Sequence, residues 1–309
     1  MTLSVAAVSA PERGRRRWTR HGLPFFVFVG PLLIGLTIFT FFPIVWGFLL
    51  SFSRGQSSVA LGPWVGLQNY ESLFSDPAFR DSLATILFFI VVIVPLTFFS
   101  ALGLACVVNA VRGGRAFFRT VLFIPFAVSY VAASLVWKMG FFNIPSGAVM
   151  AFLSLFGVPD ISFISTPQPP LYWIVLVSVR LGYYMIIFIV GLQEVPAHLL
   201  EAAAVDGARR WTRFWRVTFP MLRNTSVAIL ILLMVNGFQA FDEFYNIMGG
   251  ELNGANGALA RTPLTYLLAG PLNGQSYGEA AAGSFVLSVM IVIVSIVQAR
   301  VFGFGRSLD

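Results

Sequence analysis

The charged side chains that interrupt long apolar runs are the first candidates for chemistry in this sequence. Arg180 lies in the apolar run 170–192. Asp242 and Glu243 lie in the run 224–248. Ionisable residues in such surroundings are costly and are usually paired or functional. We expect Arg180 to pair with Asp242 or Glu243. This pair has two interpretations, a structural ion pair between helices or part of a path for a solute.

Polar and aromatic side chains extend this candidate site. Asn236, Gln239 and Asp242 recur every three residues, so on one helix they would drift only slowly around a single face. Tyr245 adds an aromatic ring. Amides and carboxylates can hydrogen-bond the hydroxyls of a sugar, and an aromatic ring can cover its apolar face. These four residues, with Arg180 and Glu243, are therefore the candidate substrate path. The alternative for each is a hydrogen bond between packed helices.

Catalytic, metal and nucleotide chemistry are not predicted for this chain. It has neither a Gly-x-Ser-x-Gly nor a His-Glu-x-x-His pattern. His21 and His198 are far apart, and the single cysteine, Cys106, lies in an apolar run. Lys138 is the only lysine and lies in Val-Trp-Lys-Met, so the chain lacks the phosphate-binding lysine of a Walker A loop. We expect no catalytic residue, no metal site and no cofactor here.

The elements that must position these residues are membrane helices. Apolar residues make up 57% of the 309 and charged residues 11%, against about 45–50% and 25% in soluble domains. Six runs reach the roughly 20 residues that cross a bilayer. They cover residues 24–50, 83–110, 117–139, 170–192, 224–248 and 280–303. The prediction is an all-α, polytopic membrane protein, because backbone in lipid must satisfy its own hydrogen bonds.

The basic residues indicate how these helices are oriented. A basic tail, 1–23, precedes the first run, which is too long for the apolar region of a signal peptide. Residues 24–309 then form a single transmembrane domain. The outer loops hold only Arg54, Arg80 and Arg261, so the positive-inside rule places both termini in the cytoplasm. The net charge of +7 is thus explained by topology, without a nucleic-acid partner.

A polar and basic segment, residues 194–222, separates the fourth and fifth runs. We name this cytoplasmic segment the connector. Pro196 suits the first turn of a helix and Gly207 suits a helix stop, which predicts a helix over 196–206. One face of that helix holds small or apolar residues: Leu199, Ala202 and Ala203. Its carboxylates, Glu201 and Asp206, can bind a partner or the nearby arginines.

A second short helix is predicted over 208–219, with Pro220 marking the break before the fifth run. Its aromatic residues fall on one side and its arginines on another. One interpretation is an amphipathic helix that lies in the headgroup layer with arginines on phosphates. That interpretation does not explain the first helix, with its small residues and carboxylates.

The connector resembles the EAA loop of ABC importer permeases. That loop has Glu-Ala-Ala, three residues, a glycine, nine residues, and then aliphatic-x-aliphatic-proline. The matching residues are Glu201, Ala202, Ala203, Gly207 and Val217-Thr218-Phe219-Pro220. Phe219 stands where the family usually has leucine.

Three further patterns resemble the sugar-permease branch of that family, the maltose and lactose type. They are Asp206-Gly207-Ala208, Gly66-Leu67-Gln68-Asn69-Tyr70, and Phe241-Asp242-x-x-Tyr245 followed by Gly249-Gly250. Met248 stands where the branch usually has threonine. The resemblance extends over nearly the whole chain.

The resemblance implies a type I, MetI-like permease fold, in which the first connector helix docks in a groove of a cytoplasmic ATPase. The residues implied in this coupling are Glu201, Ala202, Ala203, Asp206, Gly207 and Pro220. ATP and magnesium would then be bound by the ATPase and not by this chain.

The implied function is the permease subunit of an importer in a bacterial cytoplasmic (inner) membrane. The solute would be a sugar, oligosaccharide, polyol or related compound. The implied partners are a second, homologous permease, two ATPase subunits, an external solute-binding protein and membrane lipid. The alternatives are a subunit of a secondary solute transporter and an integral membrane enzyme.

Overall fold

The protein is helical throughout the part of the chain that the structure describes, apart from turns, loops and one isolated bridge between Ser53 and Trp64. This computed structural model describes residues 22–111, 113–142, 147–157, 174–175, 178–249 and 260–302. Most of the predicted basic tail, part of the run 170–192, and Gly250 lie outside the described residues. The all-α prediction is confirmed.

Fifteen α-helices are described, and we number them in chain order. They are α1 Gly22–Leu36, α2 Phe42–Ser51, α3 Gln68–Ser75, α4 Pro77–Ala110, α5 Arg115–Ala127, α6 Tyr130–Val136, α7 Ala148–Ser154, α8 Leu181–Glu194, α9 Ala197–Val205, α10 Arg210–Arg213, α11 Phe219–Met221, α12 Arg223–Phe238, α13 Asp242–Met248, α14 Pro263–Leu267 and α15 Tyr277–Phe302. Short π-helical turns continue α1, α6, α10 and α14.

Four helical segments are long and apolar enough to cross a bilayer. They are Val27–Ser51, Pro77–Ala110, Arg223–Met248 and Tyr277–Val301. Two bent pairs, α5 with α6 and α8 with α9, raise the number to six if each pair is taken as one span. The sequence predicted six spans, and the described helices allow four to six.

The third predicted span, 117–139, is not one straight helix. Helices α5 and α6 meet at an angle of 88°. Val128 is extended, and the Ser129 side chain accepts a hydrogen bond from the Ala132 amide at 3.2 Å, which caps a new helix. The sequence analysis treated 117–139 as one span and overlooked this serine cap, which lies four residues after Pro125.

The fifth predicted span, 224–248, is also interrupted. Helix α12 ends at Phe238, and α13 begins at Asp242. The three residues between them are not α-helical, so the helical register does not continue from Asn236 to Asp242. The single polar stripe predicted along this run is therefore wrong in its geometry.

Helix α4 begins earlier than predicted because Asp76 and Pro77 form a strong start signal. The Asp76 carboxylate accepts a hydrogen bond from the Ala78 amide at 2.8 Å, and Pro77 occupies the first turn. At about 1.5 Å per residue, its 34 residues exceed the roughly 30 Å hydrocarbon core of a bilayer. One end of α4 therefore projects beyond that core.

The chain divides into two units, residues 1–49 and 50–309. In the second unit α4 packs against α8 and α12 around a core with several buried phenylalanines. Gly182 allows close packing of α8 on α5, because a Cβ there would lie 2.3 Å from the Leu122 carbonyl oxygen. Small residues commonly permit such close approach between membrane helices.

Candidate functional site

The first connector helix, α9, ends in a motif that fixes the position of Gly207. Gly207 has φ +76°, a left-handed conformation that glycine adopts without strain. Its amide donates to the Ala204 carbonyl at 3.1 Å, and the Ala208 amide donates to the Ala203 carbonyl at 3.0 Å. This pair of bonds is a Schellman motif, which closes the carbonyl end of a helix. The predicted helix stop at Gly207 is confirmed.

The coupling candidates on α9 have open surroundings. Glu201, Ala202, Asp206 and Gly207 are exposed, and Ala203 is half-buried. A Cβ built at Gly207 would meet nothing within 4 Å. In the described part of the chain, no side chain from 196 to 222 makes a hydrogen bond. The carboxylates therefore do not bind the connector arginines and remain available to a partner.

The second connector helix is irregular and aromatic. It runs through α10, a π-helical turn at Phe214–Thr218 and α11. Trp215 packs on Trp211 and on Phe219, with ring centroids 5.7 Å and 5.0 Å apart. Pro220 lies inside α11, and the break comes at Leu222. The break therefore comes two residues later than predicted, since proline is compatible with the first turn of α11.

Arg180 forms contacts other than the predicted ion pair. Its guanidinium carbon lies 3.6 Å from the centroid of the Tyr130 ring, and its Nη1 donates to the Phe126 carbonyl oxygen at 3.3 Å. Within the described residues it forms no ion pair with Asp242 or Glu243. The cation therefore lies on an aromatic face, an attractive electrostatic contact.

Glu243, rather than Asp242, accompanies Arg180. Glu243 is buried, accepts a hydrogen bond from the Ser178 hydroxyl at 3.4 Å, and lines the same cavity as Arg180. Asn236 lines that cavity too, and its Nδ2 donates to the Tyr184 hydroxyl at 3.0 Å. We name these groups the polar cluster: Tyr130, Ser178, Arg180, Tyr184, Asn236 and Glu243.

The other three candidates lie outside the polar cluster. Gln239 is exposed at the end of α12, and Asp242 is half-buried at the start of α13. Tyr245 is exposed and stacks on Phe241 with ring centroids 5.2 Å apart. The break between α12 and α13 separates them from Asn236. The sequence analysis missed Tyr130 and Ser178, and the only available signal was the polar pair Ser129-Tyr130 inside an apolar run.

The cavity in the polar cluster has a volume of about 30 Å³. A water molecule needs roughly 10–15 Å³ of such space, so the cavity can hold water. Small-molecule sites usually have about 300–1,000 Å³. In this conformation the polar groups therefore pack against one another and leave no room for a sugar.

A larger polar pocket lies between the loop after α2 and the start of α15. We name it the outer cradle, because the sequence analysis predicts that this side is external. Its volume is about 470 Å³. It is lined by Arg54, Gln56, Gln68, Asn69, Ser72, Gln275 and Glu279, among others. Ser72 donates a hydrogen bond to Glu279 at 3.3 Å across it. Gln275 has φ +59°, the only non-glycine residue with positive φ among those described.

The Gly66–Tyr70 motif builds this outer cradle. The Asn69 side-chain amide donates to the carbonyls of Ser51 and Ser53 at 2.8 and 2.9 Å. The Tyr70 and Ser51 hydroxyls are 2.9 Å apart. The motif thus fastens the end of α2 to α3.

Next to the outer cradle, Tyr266 of α14 donates a hydrogen bond to the carboxylate of Asp76, the residue that caps α4. Burial and this hydrogen bond raise the pKa of Tyr266 above its ordinary value. The bond joins the N-terminal end of α4 to the segment that leads to α15.

Comparison with known proteins identifies the family. No family model matches the chain. It is 30% identical over 282 residues to the probable ABC transporter permease protein YesP of Bacillus subtilis (strain 168), covering 90% of each. The chain belongs to the ABC transporter permeases. This permease is also 29% identical to the trehalose/maltose transport system permease protein MalF of Thermococcus litoralis, over 91% of this chain and 94% of the relative.

Solved structures confirm the fold of the permease. A bacterial ABC transporter involved in the import of the acidic polysaccharide alginate matches with a TM-score of 0.78 at 22% identity, over 91% of this chain and 95% of that one. The same TM-score is found for the bacterial alginate ABC transporter in complex with an alginate pentasaccharide-bound periplasmic protein, at 21% identity over 92% and 96% of the two chains. The resemblance stated from the EAA loop is confirmed: the chain is a permease subunit of an ABC importer and an integral membrane protein.

Proposed function

We propose that this permease pairs with a second, homologous permease and two cytoplasmic ATPase subunits, and receives its solute from an external binding protein. The observation that carries the proposal is the connector helix α9. Apart from the half-buried Ala203, its small residues and carboxylates are exposed, and they form no side-chain hydrogen bond among the described residues. A surface of this kind is expected where another protein approaches closely.

The proposed coupling site consists of Glu201, Ala202, Ala203, Asp206, Gly207 and Pro220. Alanines and a glycine leave room for the ATPase surface, and the two carboxylates offer hydrogen-bond acceptors at its edge. ATP and magnesium belong to the ATPase, since the only lysine here, Lys138, donates to the Asn246 carbonyl at 3.3 Å. The distribution of arginines supports a topology in a bacterial inner membrane with the connector and both termini in the cytoplasm.

The proposed solute is a sugar, oligosaccharide, polyol or related compound. The names of relatives support this class: they include transport systems for trehalose/maltose, sn-glycerol-3-phosphate and arabinooligosaccharides. The residues Arg180, Asn236 and Glu243 would meet the solute once the helices around the polar cluster separate. Gln239, Asp242 and Tyr245 remain proposed path residues at the exposed end of the same helix pair.

The outer cradle is the proposed contact for the external binding protein. The polar side chains there are largely exposed and converge on a pocket rather than a flat surface. The solved alginate importer includes a periplasmic protein carrying its oligosaccharide, which supports an external partner for this permease as well.

The test is reconstitution of the permease with the proteins encoded beside it. We expect co-purification with a second permease and an ATPase, and ATP-dependent uptake of one member of a labelled sugar and polyol panel into vesicles. Omitting the ATPase should abolish that uptake. Uptake that persists without the ATPase and follows a proton or sodium gradient would overturn the proposal.

A further inference from the structure

An apolar groove follows the surface of α4 near the second connector helix. One part, of about 490 Å³, is lined by Phe99, Gly103, Cys106, Arg210, Trp211 and Trp215, with two further residues. A second part, of about 630 Å³, continues from Phe99 towards Pro95 and Phe219. Both parts are almost entirely apolar. The charged lining residues are Arg210 in the first part and Arg223 in the second. We name the two parts together the α4 groove.

The groove has the depth of one leaflet of a bilayer. From Val94 to Cys106, the α4 residues that line the groove at its two ends, the helix rises about 18 Å at 1.5 Å per residue. Half of a hydrocarbon core is about 15 Å. The groove therefore runs from the connector face of the membrane towards its middle, alongside exposed α4 residues such as Phe99 and Val107. An occupant from the bilayer would extend an acyl chain along it.

The rim of the groove has the chemistry of the lipid headgroup region. Trp211 is 72% exposed and Trp215 is 40% exposed, although both are large and apolar. Tryptophan is enriched at this depth of a membrane. Arg210 is exposed at the rim and supplies a cation beside the apolar slot. Basic residues near a membrane surface attract anionic lipids.

We infer that the α4 groove binds an anionic phospholipid, with its phosphate at Arg210 and an acyl chain over Gly103 and Phe99. Gly103 forms the floor of the slot, because a Cβ built there would meet nothing within 4 Å. Arg209, the neighbouring cation, caps α10 and does not line the groove. Of these two adjacent arginines, only Arg210 lines the groove. The choice of leaflet rests on the proposed topology, whereas the binding itself does not.

The test compares two lipids that differ in headgroup charge. The full-length permease in detergent is equilibrated with phosphatidylglycerol and phosphatidylcholine, and bound lipid is counted by native mass spectrometry. We expect phosphatidylglycerol to bind about fivefold more tightly, the effect of one basic residue near the surface. Arg210→Gln should remove that preference, and Arg209→Gln should retain it.

A second pair of variants tests the slot rather than the charge. Gly103→Leu fills open space with a good helix former, and it should weaken the binding of both lipids. Gly35→Leu is the matched control, since Gly35 lies in α1 and a Cβ there also meets nothing within 4 Å. It should bind both lipids as the wild type does.

Three results would overturn the inference. The first is equal binding of the two lipids by the wild type. The second is an equal loss of preference in Arg209→Gln and Arg210→Gln, which would indicate diffuse charge. The third is unchanged lipid binding by Gly103→Leu together with loss of the second permease on co-purification, which would assign the groove to a protein helix. Each is measured without uptake, so failure here is separate from failure of the proposed importer function.

Discussion

The connector and the polar cluster use polar side chains in opposite ways. Glu201 and Asp206 on the connector are exposed and make no hydrogen bond among the described residues. In the polar cluster, Glu243 is buried against Ser178, and Arg180 lies on the Tyr130 ring. Water satisfies the first set in a single chain. Lipid offers no hydrogen bonds, so the second set depends on partners within the protein and on the small cavity between them.

This contrast separates surface chemistry from internal chemistry. A docking surface is incomplete within one chain, so its side chains remain unpaired until the partner arrives. Polar groups inside the membrane must find partners within the chain or in water-filled space. Substitutions on the connector should therefore affect uptake and leave folding intact, whereas substitutions in the polar cluster should affect both.

The largest effect is expected from Gly207→Asp. Asp tolerates a left-handed backbone better than most residues, so α9 should still end here and membrane insertion should be normal. The added carboxylate would occupy the open space that a partner needs. We expect uptake to be abolished, a loss of at least about 30-fold if Gly207 is a binding hot spot. Vesicle uptake and the amount of inserted protein are the measurements.

Gly157→Asp is the matched control for that variant. Gly157 also has positive φ, at +71°, and a Cβ there also meets nothing within 4 Å. It follows α7 and lies far from the connector in the chain. Uptake should remain normal in this variant. Normal uptake by Gly207→Asp would remove the coupling assignment.

Arg180→Ala should have the next largest effect. It removes a half-buried cation from Tyr130 and from the cavity that Glu243 lines. A desolvated cation–π contact contributes up to about 2 kcal/mol, so we expect roughly a tenfold loss of uptake with less folded protein. Arg180→Lys keeps the charge without the planar group and should lose less uptake than Arg180→Ala.

Asp242→Ala is the comparison for Arg180→Ala, because Asp242 lies outside the polar cluster. Asp242→Ala should reduce the amount of folded protein less than Arg180→Ala does. Assembly and transport are measured together in both variants. If both retain normal assembly and transport, neither the structural nor the path interpretation of these charges is correct.

These residues also show how far the sequence could predict the molecule. Long apolar runs were sufficient to predict the all-α fold, and a single glycine was sufficient to predict the helix stop at Gly207, because both depend on local residues. The pairing of Arg180 was wrong, since it depends on how α5 and α6 bend near Ser129. The predicted stripe from Asn236 to Asp242 was wrong for a similar reason, because a helix break falls within that apolar run. Tertiary packing decides such breaks, and local patterns indicate them weakly.

A smaller effect is expected from the hydrogen bond between Asn236 and Tyr184. A double-mutant cycle of Asn236→Ala and Tyr184→Phe should give a coupling of about 0.6 kcal/mol, the average for such bonds between membrane helices. Thermal unfolding in detergent measures it. Tyr183→Phe is the control, since Tyr183 stacks on Phe126 and makes no hydrogen bond through its hydroxyl among the described residues. Zero coupling would remove this bond from the polar cluster.

The smallest effect is expected at the contact where Tyr266 donates a hydrogen bond to the carboxylate of Asp76. Burial and this bond raise the pKa of Tyr266 above its ordinary value of about 10. The folded protein therefore favours the protonated hydroxyl. Its contribution to stability is complete below about pH 10 and is lost as the pH rises through the higher folded-state pKa.

Tyr266→Phe should lower the free energy of unfolding by about 1 kcal/mol at pH 8, with the difference from wild type shrinking above pH 10. Unfolding temperatures from pH 8 to pH 11 measure this. Tyr277→Phe is the control, because the Tyr277 hydroxyl makes no hydrogen bond within the described ranges. A difference that is constant across this pH range would mean that the Tyr266 hydroxyl is not held by Asp76. The Asp76 carboxylate would then cap α4 through the Ala78 amide without a bond to α14.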